Sequence, residues 1–159
     1  MKAPAGNDLN DRALTVMVCD DIRRELGNKM SFMGCYQGTL LVASVPVVLP
    51  RLCIYANALT PMGRPFKSLT WRVLMDEKTE LAHMATTAES LRQGRKSSRK
   101  RIQGADKNRG AQRQSISTVF MFSPFLISRA SVLKVVAETE SGELLGPSLQ
   151  IQVAPDAVG

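Results

Sequence analysis

Histidine, cysteine and apolar stretches of membrane-spanning length are scarce or missing in this 159-residue chain. The sequence holds one histidine, His83. Ser-His-Asp and Cys-His arrangements both need an imidazole that takes and returns a proton near neutral pH. His83 stands in a polar, Ala/Thr-rich stretch with no nucleophile signature beside it, so a solvated or structural role outweighs a catalytic one. Cysteines are three, Cys19, Cys35 and Cys53, and no Cys-x-x-Cys occurs. A closed zinc site would therefore need all three together with His83. Each cysteine lies in or beside an apolar strand pattern, the usual home of a small buried hydrophobe. Reduced thiols of a cytoplasmic protein are the expectation. Neither a Walker-type phosphate loop nor a dinucleotide-binding glycine pattern is present. No catalytic residue, metal or cofactor is expected, and the chain reads as a non-enzyme.

The longest apolar runs, near residues 40–50, are broken by Ser, Pro and Arg, and none is long enough to span a bilayer. The opening MKAPAGNDLNDR is polar and lacks an apolar core, so no secretory signal and no membrane partner are expected. What is there is ordinary globular material: 44% hydrophobic and 22% charged residues, in a length that suits one domain.

The charge is unevenly placed. The chain carries +7, yet residues 92–113 alone hold nine cations, Arg92, Arg95, Lys96, Arg99, Lys100, Arg101, Lys107, Arg109 and Arg113, against the single Asp106. Everything outside this segment nets −1. Within it Ile102 is the one large apolar residue, while Gly94, Gly104 and Gly110 punctuate it. Such a composition buries too little surface to offset its own ordering entropy. It reads as a long inserted basic loop, functional or disordered, and removing Arg95 to Arg109 is expected to leave folding intact.

Elsewhere the pattern is of strands. Leu14, Val16 and Val18 alternate with Thr15, Met17 and Cys19, and Lys29 to Tyr36 alternates again after the Gly27–Asn28 turn pair. Residues 40–49 are apolar but contain Pro46, which fits an edge piece or a crossing loop. Arg51 to Leu59 reads as a largely buried strand, and 60–65 as a turn cluster. The clearest alternation is 68–75, with Leu69, Trp71, Val73 and Met75 on one side and Leu74 as its only breach. A hairpin turn at 76–78 leads into 79–86, a strand running into a short helix or coil. Ser115 to Phe122, Val132 to Thr139 and Ser148 to Val153 complete the set, with a turn at 140–143. Seven or eight short, turn-separated strands predict an all-β antiparallel sandwich over 13–153, Ig-like or related. Residues 1–12 are expected to form an extended arm and 154–159 a tail.

Asp20 and Asp21 would diverge on an extended chain, whereas acid–base pairs need convergent carboxyls. An ion-paired turn with Arg23, Arg24 or Lys29 is the plainer reading, and a metal role is the alternative. An enzyme pocket would have to come from Asp20, Asp21, Arg23, Arg72 or His83, and nothing in their spacing demands one. Val16 to Tyr36, VMVCDDIRRELGNKMSFMGCY, with its CDDIRRE turn and K-x-S-x-x-G-x-Y strand, resembles an uncharacterised bacterial and phage β-sandwich family. LPRLCI (49–54) and PFKSLTWRV (65–73) fit the same pattern, and the basic segment interrupts it. The resemblance implies a bacterial or phage origin and carries no activity over to this chain.

Two functions follow as expectations. The first is a non-enzymatic structural module, carried by a phage or prophage and docking onto other protein copies, in a virion or in the host cytoplasm. The second is sequence-nonspecific binding of nucleic-acid backbone through the basic loop, because 92–113 contains no aromatic residue on which bases would stack.

Overall fold

The computed structural model describes residues 11–103 and 112–155, the side chains of 101–103 excepted. The first sheet is built from β1 (Ala13–Glu25), β2 (Lys29–Cys35), β5 (Leu52–Pro61) and β8 (Arg113–Phe122), in the order β2-β1-β5-β8, antiparallel throughout. The second holds β3 (Thr39–Val42), β6 (Leu69–Met75), β7 (Thr79–Ala85), β10 (Ser131–Thr139), β11 (Gly142–Leu145) and β12 (Leu149–Val153). Its order is β3-β12-β10-β6-β7, with β11 also paired to β10. A two-stranded ribbon joins β4 (Val47–Leu49) to β9 (Phe125–Ile127). The all-β sandwich expected from the alternation is present.

The core is where the alternation put it. Val18, Ile54, Ala56, Ala58 and Ile116 from the first sheet meet Leu40, Leu69, Trp71, Val73, Leu133, Val135 and Ile151 from the second. Trp71, fully buried, satisfies its indole N–H by donating to Thr86 Oγ1 at 3.0 Å. The register of β6 against β7 shifts between Val73 and Leu74, with Leu81 of β7 as the extra residue, while β6 keeps its register against β10. The hairpin expected at 76–78 is present, with Asp76 and Glu77 both at positive φ. Around Pro46 the chain splits into β3, at the edge of its sheet, and β4 in the ribbon.

Three features depart from the sequence reading. The strands number twelve among the described residues, because β3, β4, β9 and β11 are too short to show alternation. β3 runs parallel to β12, so the sandwich is not antiparallel throughout. Arg12 is not part of a free arm (residues 1–10 lie outside the described residues). It shares the parity of Leu14, Val16 and Val18, and its side chain turns inward and is 8% exposed.

There Arg12 ties the two sheets. Its Nε donates to Thr60 Oγ1 of β5 at 3.0 Å, and its Nη1 to Thr139 Oγ1 of β10 at 3.2 Å. Nη2 donates to Glu140 Oε1 at 2.5 Å and to the Arg64 carbonyl at 3.3 Å, while the guanidinium lies 4.6 Å from the centre of the buried Phe66 ring. Glu140 Oε2 accepts the N–H groups of Lys67 and Ser68. Burial works to raise the Glu140 pKa, but the Arg12 guanidinium and these N–H groups outweigh it and hold the carboxyl below its ordinary 4.5. A carboxyl lowered in the folded state adds stability above its unfolded value and loses it as pH falls through the folded one. Glu140→Gln should therefore cost about 2 kcal/mol near neutral pH, and that cost should shrink on acidification below about pH 4.5. Urea midpoints of both proteins across the acidic range test this, and a gap independent of pH would contradict it.

Candidate nucleic-acid interface

The basic segment is not the loop its composition led us to expect. Ala88–Gln103 forms the helix α1. Thr87 caps it, its Oγ1 accepting the Ser90 N–H at 3.1 Å, and Glu89 occupies the first turn. Arg, Lys and Gln are good helix formers, so a scarcity of large apolar residues does not forbid a helix that a sheet can hold. The hold comes from a narrow stripe of mostly small side chains. Leu91 is 3% exposed within the core, Ser98 is buried, and Gly94 lets the helix close on β8. A Cβ at Gly94 would stand 3.4 Å from both Gln114 and Ile116. Gln114 in turn donates to the Leu91 carbonyl at 3.4 Å. Helix α1 therefore contributes to the fold through Leu91, Gly94 and Ser98, of which only Ser98 lies within Arg95 to Arg109.

With 91, 94 and 98 turned inward, Arg92, Lys96, Arg99 and Lys100 recur at i, i+4, i+7 and i+8 on the exposed side. They make a cationic stripe about 12 Å long at 1.5 Å rise per residue. Its one described ion pair is Arg92 with Glu89. Arg95 is half-buried on the flank of the stripe, and Arg101 lies on the last turn. Arg113 opens β8 and is exposed, whereas Lys107 and Arg109 lie outside the described residues. Sequence reasoning found the charges but missed their order. The signal was available in the spacing of Leu91, Gly94 and Ser98.

The acidic motif is a strand, not a turn: Asp20 to Arg24 fall inside β1. Asp20 takes the Tyr36 hydroxyl on its Oδ1, and its Oδ2 occupies the space where a side chain at Gly34 would stand. Gly34 also has φ +65°, which favours glycine. Burial and the Asp20 carboxylate keep the Tyr36 phenol protonated well above its ordinary range. Asp21 accepts from Arg51 Nη1 at 2.6 Å and from Arg23 Nε at 3.2 Å, and these bonds hold its carboxyl below its usual value. The two carboxylates are thus committed to separate partners.

His83 lies on β7 opposite Arg72 with its Nδ1 3.4 Å from Glu80, remote in the fold from the cysteines of the first sheet. Arg72 bridges Glu80 and Glu138. Cys35, Cys19 and Cys53 pair side by side across β2, β1 and β5 as free thiols. Two of them are buried as expected, but Cys35 is exposed because β2 is an edge strand. Burial, helped by the neighbouring thiols, pushes Cys19 up to about 11. Among the described residues no three of His, Cys, Asp and Glu converge to hold a metal, and no helix is long and apolar enough to cross a membrane. No known protein-family model matches the chain, and no curated protein is similar to it.

Two substitutions separate packing from charge. Leu91→Ala should cost about 2–4 kcal/mol by opening a cavity under α1, whereas Lys96→Gln should stay within about 0.5 kcal/mol of the parent. Equal effects in thermal denaturation would show that the helix is not packed through Leu91. Gly34→Ala should cost about 2 kcal/mol or more, and part of that loss should return when Asp20→Ala is added. Simple additivity of the two would rule out the Asp20 contact as the cause.

Proposed function

We propose that the chain is a non-enzymatic binding module whose helix α1 grips the backbone of nucleic acid. The observation that carries this reading is the stripe of Arg92, Lys96, Arg99 and Lys100, fixed on an ordered helix and opposed, among the described residues, by Glu89 alone. Phosphates neutralised by such a stripe release their counterions, which makes affinity steeply salt-dependent. With no aromatic residue between 92 and 113, contact is with charge and shape and does not read sequence. The non-enzymatic part is supported by an isolated surface histidine, a raised Cys19 thiol and carboxylates tied up in ion pairs.

A titration with random double-stranded DNA at low and moderate salt tests the proposal. Arg92→Gln, Lys96→Gln, Arg99→Gln and Lys100→Gln combined should weaken binding strongly and flatten the slope of log K on log salt by about 3–4. No binding of the parent at low salt would overturn it.

A second reading, docking onto other protein copies in a phage- or prophage-encoded assembly, is favoured by the β4–β9 ribbon. Val48 and Leu126 pair across it, and both are more than half exposed. Leu41 on the neighbouring edge strand β3 is exposed as well.

A further inference from the structure

Beside the flank of α1 opens a cavity of about 360 Å³, an order of magnitude more than one water molecule fills. Arg12, Arg64, Lys67 and Arg95 line it with Glu140 and Ser141, four cations to one anion. The lone carboxylate is not free to neutralise them. Its Oε1 is taken by Arg12 and its Oε2 by the N–H groups of Lys67 and Ser68. All three guanidinium nitrogens of Arg12 already donate, to Thr60, Thr139, Glu140 and the Arg64 carbonyl, so its main contribution to the cavity is charge. Arg64 meets Asp11. Two cations are left to act. Neither the Lys67 ammonium nor the Arg95 guanidinium has a hydrogen-bond or ion-pair partner among the described residues.

We infer that this cavity is a phosphate subsite in which Arg95 and Lys67 bind the oxyanion, the Ser141 hydroxyl faces it, and Arg12 holds the floor positive. An oxyanion satisfies planar guanidinium donors and an ammonium together. A neutral ligand would leave the net charge of the cavity uncompensated. Arg95 stands three residues after Arg92 and four before Arg99, so the cavity adjoins the cationic stripe. The inference deepens the proposed function: the subsite fixes one backbone phosphate while the stripe follows its neighbours.

The test uses the full chain with inorganic phosphate as probe, at constant ionic strength made up with chloride. Phosphate should raise the thermal midpoint of the parent and of the Arg92/Lys96/Arg99/Lys100→Gln variant alike. The rise should be lost in Lys67→Gln combined with Arg95→Gln, a pair whose midpoint in chloride alone should match the parent and so report intact folding. In the DNA titration the same pair should weaken binding about tenfold and flatten the salt slope by about 2. A phosphate shift absent from the parent, or equal in parent and pair variant, overturns the subsite. A phosphate shift that depends on the pair, in a protein that does not bind DNA, supports the subsite for free phosphate while the helix reading fails.

Discussion

The guanidinium of Arg12 is the tie on which the rest of the arrangement depends. It joins β5 of one sheet to β10 and its turn in the other, and it does so from inside, at 8% exposure. A charge so buried is tolerated because each of its three nitrogens finds an acceptor and its face lies on Phe66. Its counter-ion, Glu140, is held in turn by two backbone N–H groups, so neither partner can shift without orphaning the other. The same carboxylate also orders the stretch through Lys67 and Ser68 that leads into β6. One ion pair therefore fixes the end of the sandwich nearest α1 and shapes the cationic cavity there.

Helix α1 shows the opposite balance. Its exposed cations stand one turn apart and repel one another, each like-charged pair at i,i+4 working against the helix by a few tenths of a kcal/mol. Against that stand the Thr87 cap, the favourable placing of Glu89 at the start and cations at the end, and the burial of Leu91. The underside is only partly satisfied, since Arg95 Nε, Ser98 Oγ and Gln114 Oε1 all lack partners among the described residues. The sheet holds in place a helix that its own surface charge disfavours. A polyanion laid along that surface would remove the repulsion and leave the packing untouched.

Much of the sandwich was legible because a half-buried strand writes its faces at period two, as Leu69, Trp71 and Val73 do. The three- and four-residue strands were not, because two side chains on a face make no pattern. Arg12 carries no apolar signal, although its parity with Leu14 and Val16 points inward. The basic segment lacks the large apolar residues that mark a packed helix. Gly94 lets α1 close on the Gln114 and Ile116 side chains and Ser98 is buried beneath it, and small residues carry no hydropathy signal. The adjacency of Arg95 to Lys67 and Arg12 was beyond the sequence, since it arises from strands that pair at long separation.

That separation sets the order of assembly. Among the described residues β3 pairs with β12 alone, Leu40 opposite Ile151, and Arg12 waits for Glu140, 128 residues away along the chain. Contacts of this span must be formed against loop-closure entropy before they repay it, which makes folding slow. During synthesis, residues 39–42 emerge long before the strand that covers their edge. Until then they present unpaired backbone and an exposed Leu41 to whatever else is in solution. The pairing of β3 with β12 is thus completed only once residues 150–153 are made, and more than a hundred residues separate the two in order of synthesis.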